Sequence, residues 1–112
     1  MVWFDACAVE DLQPNSGVCV LAQGQQVALF YMPATGSVYA VQNFDPFGQA
    51  NVLSRGLIGD IGGQAMVASP LYKQHFNLET GVCLEDSTVQ IRVYPVRIDN
   101  HRVYVGITGQ AS

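Results

Sequence analysis

The sequence is poor in charge and has no concentration of basic residues. Charged side chains make up 12% of the 112 residues and the formal net charge is −4, whereas an average soluble domain has about 25% charged residues. Binding to a nucleic-acid backbone depends on clustered Lys and Arg, so this class of partner is excluded. A surface with so little charge exposes neutral and apolar area, which favours a protein partner.

Cysteine and long apolar runs are also scarce. Cys7, Cys19 and Cys83 are odd in number and show no Cys-x-x-Cys spacing, which argues against a secreted disulfide framework and a zinc site. The N-terminus has no basic leader before an apolar run, and no stretch approaches the roughly 18–20 apolar residues that span a bilayer. We therefore expect a cytoplasmic protein that does not enter the membrane.

No catalytic motif is visible. Residues 59–63 are rich in glycine, but they match neither the dinucleotide fingerprint nor a phosphate-binding loop, and no helix pattern follows them. Ser16 and Ser69 lack the Gly-x-Ser-x-Gly context, and the two histidines and scattered carboxylates form no recognisable triad or dyad. The sequence predicts no catalytic residue in this chain.

What the sequence does contain is a β pattern over a single domain. Short β-rich runs separated by turn signals predict strands at residues 2–6, 17–21, 26–32, 37–42 and 65–68. Alternation of apolar and polar residues predicts two more strands, at 89–94 and 102–107, with Pro95 as a bulge or break. Residues 43–64 hold five glycines and no alternation, and they predict a long loop with one short helical turn near 52–57.

One segment has a recognisable pattern. It runs from Ser69 to Gly81 and resembles the second cluster-binding loop of Rieske iron–sulfur domains, which reads Cys-Pro-x-His and then Gly-x-x-Phe-Asp-Leu-x-Thr-Gly. The matching residues here are Pro70, Phe76, Leu78, Thr80 and Gly81. Ser69 stands at the cysteine position, however, and Tyr72 stands at the histidine position.

The first cluster-binding loop of the same family is a Cys-x-His loop after a strand. The resemblance places Asn43 at its cysteine position and Asp45 at its histidine position. A Rieske cluster needs two thiolates and two imidazoles. All four ligand positions therefore carry side chains that cannot hold the cluster, and we expect no metal ligand and no cofactor in this chain.

Three runs, at residues 43–47, 52–60 and 68–76, resemble one particular family of Rieske-like domains. The combination of Ser-Arg-Gly-Leu-Ile with Ser-Pro-Leu-x-Lys-Gln-x-Phe is similar to the small subunit of the assimilatory NAD(P)H-dependent nitrite reductase, a Rieske-like domain that has lost its cluster. The resemblance implies an all-β fold of the Rieske-like type, an antiparallel β-sandwich. A base (residues 1–42 and 82–112) would carry a loop-built, degenerate cluster-binding tip (residues 43–81).

The resemblance also implies a function. In that family the large subunit carries FAD, a [4Fe-4S] cluster and sirohaem, and it passes electrons from NAD(P)H to nitrite, yielding ammonium during nitrate assimilation. The chain would then be a non-catalytic subunit that docks to the large subunit and stabilises it. Rieske domains dock through the tip formed by their two ligand loops, so we expect this surface to make the contact.

Six residues are candidates for partner docking, because aromatic and Arg side chains dominate interfaces. They are Phe44, Phe47, Arg55, Leu57, Tyr72 and Lys73. Two other interpretations stay open: Phe44, Leu57 and Phe76 could fill the former cluster cavity, and Arg55 could fix a loop by an internal hydrogen bond.

Two alternative functions also stay open. One is a free-standing, ligandless protein-binding module unrelated to nitrogen metabolism. The other is a Rieske ferredoxin that carries electrons, which needs the ligand pairs missing here. A neighbouring gene for a sirohaem reductase would favour the subunit over the free-standing module. Visible colour of the purified protein would identify the electron carrier, because iron–sulfur clusters absorb visible light.

Overall fold

The computed structural model describes residues 1–107; residues 108–112, the end of the predicted base, lie outside the described residues. The strands are β1 (Val2–Ala8), β2 (Ser16–Ala22), β3 (Gln25–Met32), β4 (Ser37–Gln42), β5 (Phe44–Asp45), β6 (Ala50–Asn51), β7 (Leu57–Ile61), β8 (Gln64–Ala68), β9 (His75–Asn77), β10 (Val93–Tyr94), β11 (Val96–Asp99) and β12 (Arg102–Ile107). Short 3₁₀ helices span Val9–Asp11 and Leu53–Arg55. Among residues 1–107, no helix has the length and apolar character needed to cross a membrane.

The strands form antiparallel sheets, and the prediction of an all-β chain is confirmed. The first sheet has the order β1-β12-β11, the second β10-β4-β3-β2 and the third β7-β8-β9, while β5 and β6 form a two-stranded ladder. Every paired strand runs antiparallel to its neighbour. Antiparallel neighbours can be joined by short turns, which is what the sequence pattern indicates.

β3 is buried on both faces and separates two hydrophobic clusters. Val27 and Leu29 pack with residues of the first sheet, including Val103. Ala28 and Phe30 point to the opposite face and pack with residues of the third sheet. Side chains alternate between the two faces of a strand, so the uninterrupted apolar run of β3 fits a strand covered on both sides, as the sequence predicts.

The predicted loop at residues 43–64 is correct only in part. The short helical turn is present as Leu53–Arg55, but β7 forms a regular hairpin with β8. Gly62 and Gly63 make its two-residue turn with φ angles of 61° and 85°, the left-handed region that glycine adopts most easily. Two of the five glycines that suggested a loop thus form the turn of a hairpin.

The predicted strand at residues 89–94 is wrong except for β10. Ile91 is buried and Val89 and Val93 pack beside it, so the alternation does describe which side chains face the core. The backbone groups of residues 89–92, however, form isolated hydrogen bonds and no continuous ladder. The Arg92 amide donates to the side-chain Oε1 of Gln42 at 2.7 Å, not to a backbone carbonyl, and a regular ladder is interrupted there.

Pro95 separates two sheets, as its missing N–H predicts. Before it, β10 pairs with β4 in the second sheet. After it, β11 pairs with β12 in the first sheet. The Pro95 carbonyl still accepts a hydrogen bond from the Gly106 amide at 2.9 Å, so the chain changes sheets without losing its acceptor.

Candidate functional site

The two loops that resemble cluster-binding loops lie side by side. The first loop (residues 43–52) begins directly after β4, and the second loop (residues 69–74) connects β8 to β9. Between them in sequence, the 3₁₀ helix Leu53–Arg55 leads into β7, whose Leu57 pairs with Ala68 just before the second loop. This hairpin brings the second loop back to the first.

A buried hydrogen bond joins the two loops. Ser69 donates its hydroxyl proton to Oδ2 of Asp45, and the two residues are only 2% and 0% exposed. The remaining atoms are also used: Oδ1 of Asp45 accepts from the Phe47 amide at 2.9 Å, and Oγ of Ser69 accepts from the Leu71 amide at 3.2 Å. The pair, which we call the Asp45–Ser69 link, connects the two loops at positions that the resemblance equates with cluster ligands.

Asn43 fastens the first loop to its surroundings. Its Oδ1 accepts from the Ser54 amide at 2.7 Å, and its Nδ2 donates to Oε1 of Gln26 at 2.9 Å. The Asn43 backbone adds two hydrogen bonds, donating to the Gln26 carbonyl and accepting from the Leu53 amide, each at 3.0 Å. A buried amide needs such partners, and this one holds the first loop to β3 and to the 3₁₀ helix.

Tyr72 does not join this buried set. It is 64% exposed at the outside of a tight turn, in which the Lys73 amide donates to the Ser69 carbonyl at 3.1 Å. Lys73 has a φ of 66°, an uncommon conformation for a residue with a side chain. Three of the four positions are therefore buried, two of them in contact with each other, and the fourth is exposed to solvent.

The residues at these positions do not fit a [2Fe-2S] cluster. They offer an amide, a carboxylate, a hydroxyl and a phenol, whereas the cluster requires soft thiolates and imidazoles. The carboxylate and the hydroxyl already satisfy each other. Burial raises the pKa of the Cys83 thiol, which disfavours the thiolate that binds metal. Within residues 1–107, no three His, Cys, Asp or Glu side chains are grouped as metal ligands.

Aromatic packing supports the loops from below. Phe76 is fully buried in the cluster of the third sheet; that it fills the former cluster cavity stays a prediction. The Phe47 ring lies 6.1 Å from it between centroids, at an interplanar angle of 41°. Phe47 is half-buried, so it is less accessible than the other five docking candidates, which are all exposed.

The other docking candidates lie on the surface. Leu57 is 81% exposed and Phe44 is 40% exposed, so the cavity-filling interpretation is wrong for these two residues. Arg55 and Lys73 are exposed as well. Within the described part of the chain, the Arg55 guanidinium makes no side-chain hydrogen bond, and only its amide is engaged, with the Val52 carbonyl. Whether these residues dock a partner stays a prediction.

Sequence reasoning missed several contributors. Leu71 is about as exposed as Phe44 and packs so closely on Gly48 that a Cβ there would lie 2.4 Å from its Cδ1; its place in the Ser-Pro-Leu run could have identified it. The Asp45–Ser69 link could also have been found, because an acid and a hydroxyl stand at two positions that meet in the resembled fold. No signal in the sequence connects Gln26 to Asn43.

His75 anchors the end of the second loop. Its Nδ1 lies 2.6 Å from Oε2 of Glu85, and its amide donates to Oε1 at 2.8 Å. Slight desolvation opposes ionisation of Glu85, but the hydrogen bonds from the His75 amide and imidazole outweigh it and lower the pKa of that carboxyl. The contact holds β9 to the exposed segment that follows Cys83.

Comparisons with known proteins agree with this architecture. The Rieske-like [2Fe-2S] domain family matches residues 2–106. The "Nitrite reductase (NADH) small subunit" of Salmonella typhimurium is 45% identical over 96 residues, which cover 86% of this chain and 89% of that protein. The solution structure of the Escherichia coli protein NirD has a TM-score of 0.84 and 41% identity, covering 93% of this chain and 94% of that one.

A longer protein contains a related segment. The "Nitrite reductase [NAD(P)H] large subunit" of Klebsiella oxytoca is 38% identical over 104 residues, which cover 93% of this chain but 11% of that protein. The family match spans both loops, and the three relatives cover between 86% and 93% of this chain. The chain therefore belongs to the Rieske-like [2Fe-2S] domain family, within the group formed by the small subunits of NADH nitrite reductase.

Proposed function

We propose that this chain is the non-catalytic small subunit of a cytoplasmic NAD(P)H nitrite reductase that forms ammonium from nitrite in nitrate assimilation. It acts by docking to the large subunit and stabilising it. The FAD, [4Fe-4S] cluster and sirohaem that the family resemblance implies would belong to the large subunit. This chain would supply shape and contacts, and no electron would reside on it.

The observation that carries the proposal is the contrast between the interior and the exterior of the tip. Inside, the former ligand positions are occupied by a carboxylate, a hydroxyl and an amide that bond to each other or to the backbone. Outside, large apolar side chains stay exposed although the domain has a well-filled core. Exposed apolar groups beside cationic ones are typical of interfaces.

The exposed residues lie on neighbouring parts of the tip. Phe44 precedes Asp45, which bonds to Ser69. Leu57 pairs with Ala68, the residue before Ser69. We define the docking surface as the exposed residues Phe44, Arg55, Leu57, Leu71, Tyr72 and Lys73, with Phe47 as a half-buried support. We also propose the division into a base (residues 1–42 and 82–112) and a tip (residues 43–81).

The relative from Klebsiella supports a role inside the complex. A segment related to this chain makes up 11% of a protein whose name is that of the large subunit. Joining a small domain to its partner raises its effective concentration at the binding site without any new contact. Such a fusion is consistent with a domain whose task is to stay on the large subunit.

The test is reconstitution with the large subunit of the same organism. We expect the two chains to co-purify and nitrite-dependent oxidation of NADH or NADPH to rise when this chain is added. A variant with Phe44→Ser, Leu57→Ser and Tyr72→Ser should melt as the wild-type chain does but should fail to bind. A wild-type chain that neither co-purifies nor changes the activity would leave only a free-standing binding module.

A further inference from the structure

We propose that the Asp45–Ser69 link has taken over the mechanical task of the lost cluster and holds the two loops in the geometry that docks. This inference rests on the proposed function. In a Rieske domain the ligands of each iron come from both loops, so the metal centre is also a cross-link between them. Here the cross-link is a hydrogen bond between the histidine position of the first loop and the cysteine position of the second loop.

The link is built into the interior and is not an incidental surface contact. Both side chains are almost completely buried. A hydrogen bond is stronger where water is excluded, because the local dielectric constant is low. Each partner also receives a backbone amide of its own loop, from Phe47 and from Leu71. Loss of either side chain therefore frees an amide of its own loop directly and removes the hydrogen-bond partner that the other loop rests on.

Ordering the loops before the partner arrives favours binding. A flexible tip would lose conformational freedom on docking, and this cost would reduce the affinity. If the docking-competent tip were populated in only a tenth of the molecules, the apparent Kd would rise about tenfold. Phe44 is adjacent to Asp45 in sequence, and the Leu71 amide donates to Ser69, so the positions of both exposed side chains depend on the link.

The first part of the test measures amide hydrogen exchange by NMR on the full-length chain. The variants are Asp45→Ala, Ser69→Ala and the double variant. The informative amides lie in the opposite loop: for Ser69→Ala they are Phe47 and Gln49, and for Asp45→Ala they are Leu71 and Lys73. We expect exchange at these amides to accelerate at least about tenfold. Amides of β3 and β12 should keep their wild-type rates.

Two further variants serve as controls: one for the loss of any hydrogen-bonded carboxylate, and one for misfolding of Asp45→Ala. Asp60→Ala is the matched control, because Asp60 also accepts a hydrogen bond from a backbone amide, that of Gly63, but in an exposed turn. It should affect only its own turn. Asp45→Asn keeps an acceptor for the Phe47 amide and a donor toward Ser69, so it should lie between the wild type and Asp45→Ala. It also provides a folded variant if Asp45→Ala does not fold.

The second part measures binding to the purified large subunit. We expect Asp45→Ala and Ser69→Ala each to raise the Kd about tenfold, and the double variant to bind no more weakly than the weaker single variant, because both changes break the same link. Asp60→Ala should bind as the wild type does.

The outcomes separate the two proposals. Exchange that accelerates only within the mutated loop would overturn the link and leave the proposed function intact. Cross-loop acceleration with an unchanged Kd would overturn the claim that the link shapes the docking surface. If the wild-type chain binds no large subunit, the proposed function fails, and the exchange data alone decide whether the link holds the loops together.

Discussion

The ring centroids of Phe47 and Phe76 lie 6.1 Å apart with an interplanar angle of 41°, within the range of favourable aromatic pairs. Phe76 is fully buried and Phe47 is half-buried above it. The first loop therefore rests on the core of the third sheet through one side chain. This contact separates the residues that support the tip from those that the tip presents to solvent.

Phe47→Ala should mainly lower the stability of the fold, whereas Phe44→Ala should mainly weaken binding to the large subunit. Phe47→Ala removes apolar burial and the aromatic pair, so the free energy of unfolding should fall by about 2 kcal/mol. Phe44 is 40% exposed, so Phe44→Ala should change stability by less than about 0.5 kcal/mol but should weaken binding to the large subunit. Urea denaturation and a binding titration measure the two effects. Equal losses of stability would contradict this division of roles.

Gly56 is required where the 3₁₀ helix passes β8. A Cβ on Gly56 would lie 2.3 Å from the carbonyl oxygen of Ala68, and a backbone atom cannot move aside as a flexible side chain can. Gly56→Ala should therefore lower the free energy of unfolding by about 2 kcal/mol or more, measured by urea denaturation.

Gly59 is the matched control for Gly56. It lies in β7, and a Cβ there would meet no heavy atom within 4 Å. Gly59→Ala should be neutral or stabilising by about 0.5 kcal/mol, because alanine loses less backbone entropy on folding than glycine. If both alanine variants were equally stable, the close approach of Gly56 to β8 would be wrong.

The sequence was sufficient to predict much of this fold, and its failures have physical causes. The strands around β3 follow from uninterrupted apolar runs between turn residues, and these predictions are confirmed. β7 was missed because Gly59 within it and the two turn glycines after it resemble loop glycines. Residues 89–94 were over-predicted because a pattern of burial says nothing of backbone partners, and the Gln42 side chain takes the place of one such partner.

The candidate site was only partly accessible from sequence. The resemblance identified the four changed ligand positions, but the burial of three and the exposure of Tyr72 depend on how the two loops fold against each other. The hydrogen bond between Asp45 and Ser69 joins two residues that are 24 positions apart in the chain. Spacing alone does not show such a contact.

Arg55→Glu should weaken docking without affecting the fold. The side chain is exposed, so the melting temperature should stay within about 2 °C of the wild-type value. Reversing a charge at an interface opposes association, and we expect the Kd for the large subunit to rise about tenfold or more. Arg97→Glu is the control for the Kd alone: it makes the same charge change on β11 of the first sheet, but its guanidinium lies over the Trp3 and Tyr104 rings, so its melting temperature is not compared. Arg55→Glu with unchanged binding would remove Arg55 from the docking surface.

Acid should remove the contribution that the contact between His75 and Glu85 makes to the stability of the fold. The pKa of Glu85 is lowered in the folded chain by hydrogen bonds from His75, against slight desolvation. A carboxyl with a lowered pKa stabilises the fold above its ordinary value of 4.5, and this stabilisation disappears as the pH falls through the lower, folded value.

Glu85→Gln is the variant that measures this effect. The two side chains are partly exposed, at 33% and 44%, so at pH 7 the contact should contribute only a few tenths of a kcal/mol, about the usual value for a surface pair. The difference in unfolding free energy between the wild type and Glu85→Gln should shrink as the pH falls below 4.5. A difference that grows in acid would contradict the direction of the shift.

The metal content of the chain tests the replaced ligand set directly. Tag-free protein, purified without oxygen from iron-supplemented cells, should be colourless and should contain less than about one iron per ten chains. A chain that retains a Rieske centre would instead yield about two irons and two acid-labile sulfides and would absorb visible light. Trace iron supports a subunit that acts by contact, whereas the full amount of iron and sulfide would show that this chain carries electrons.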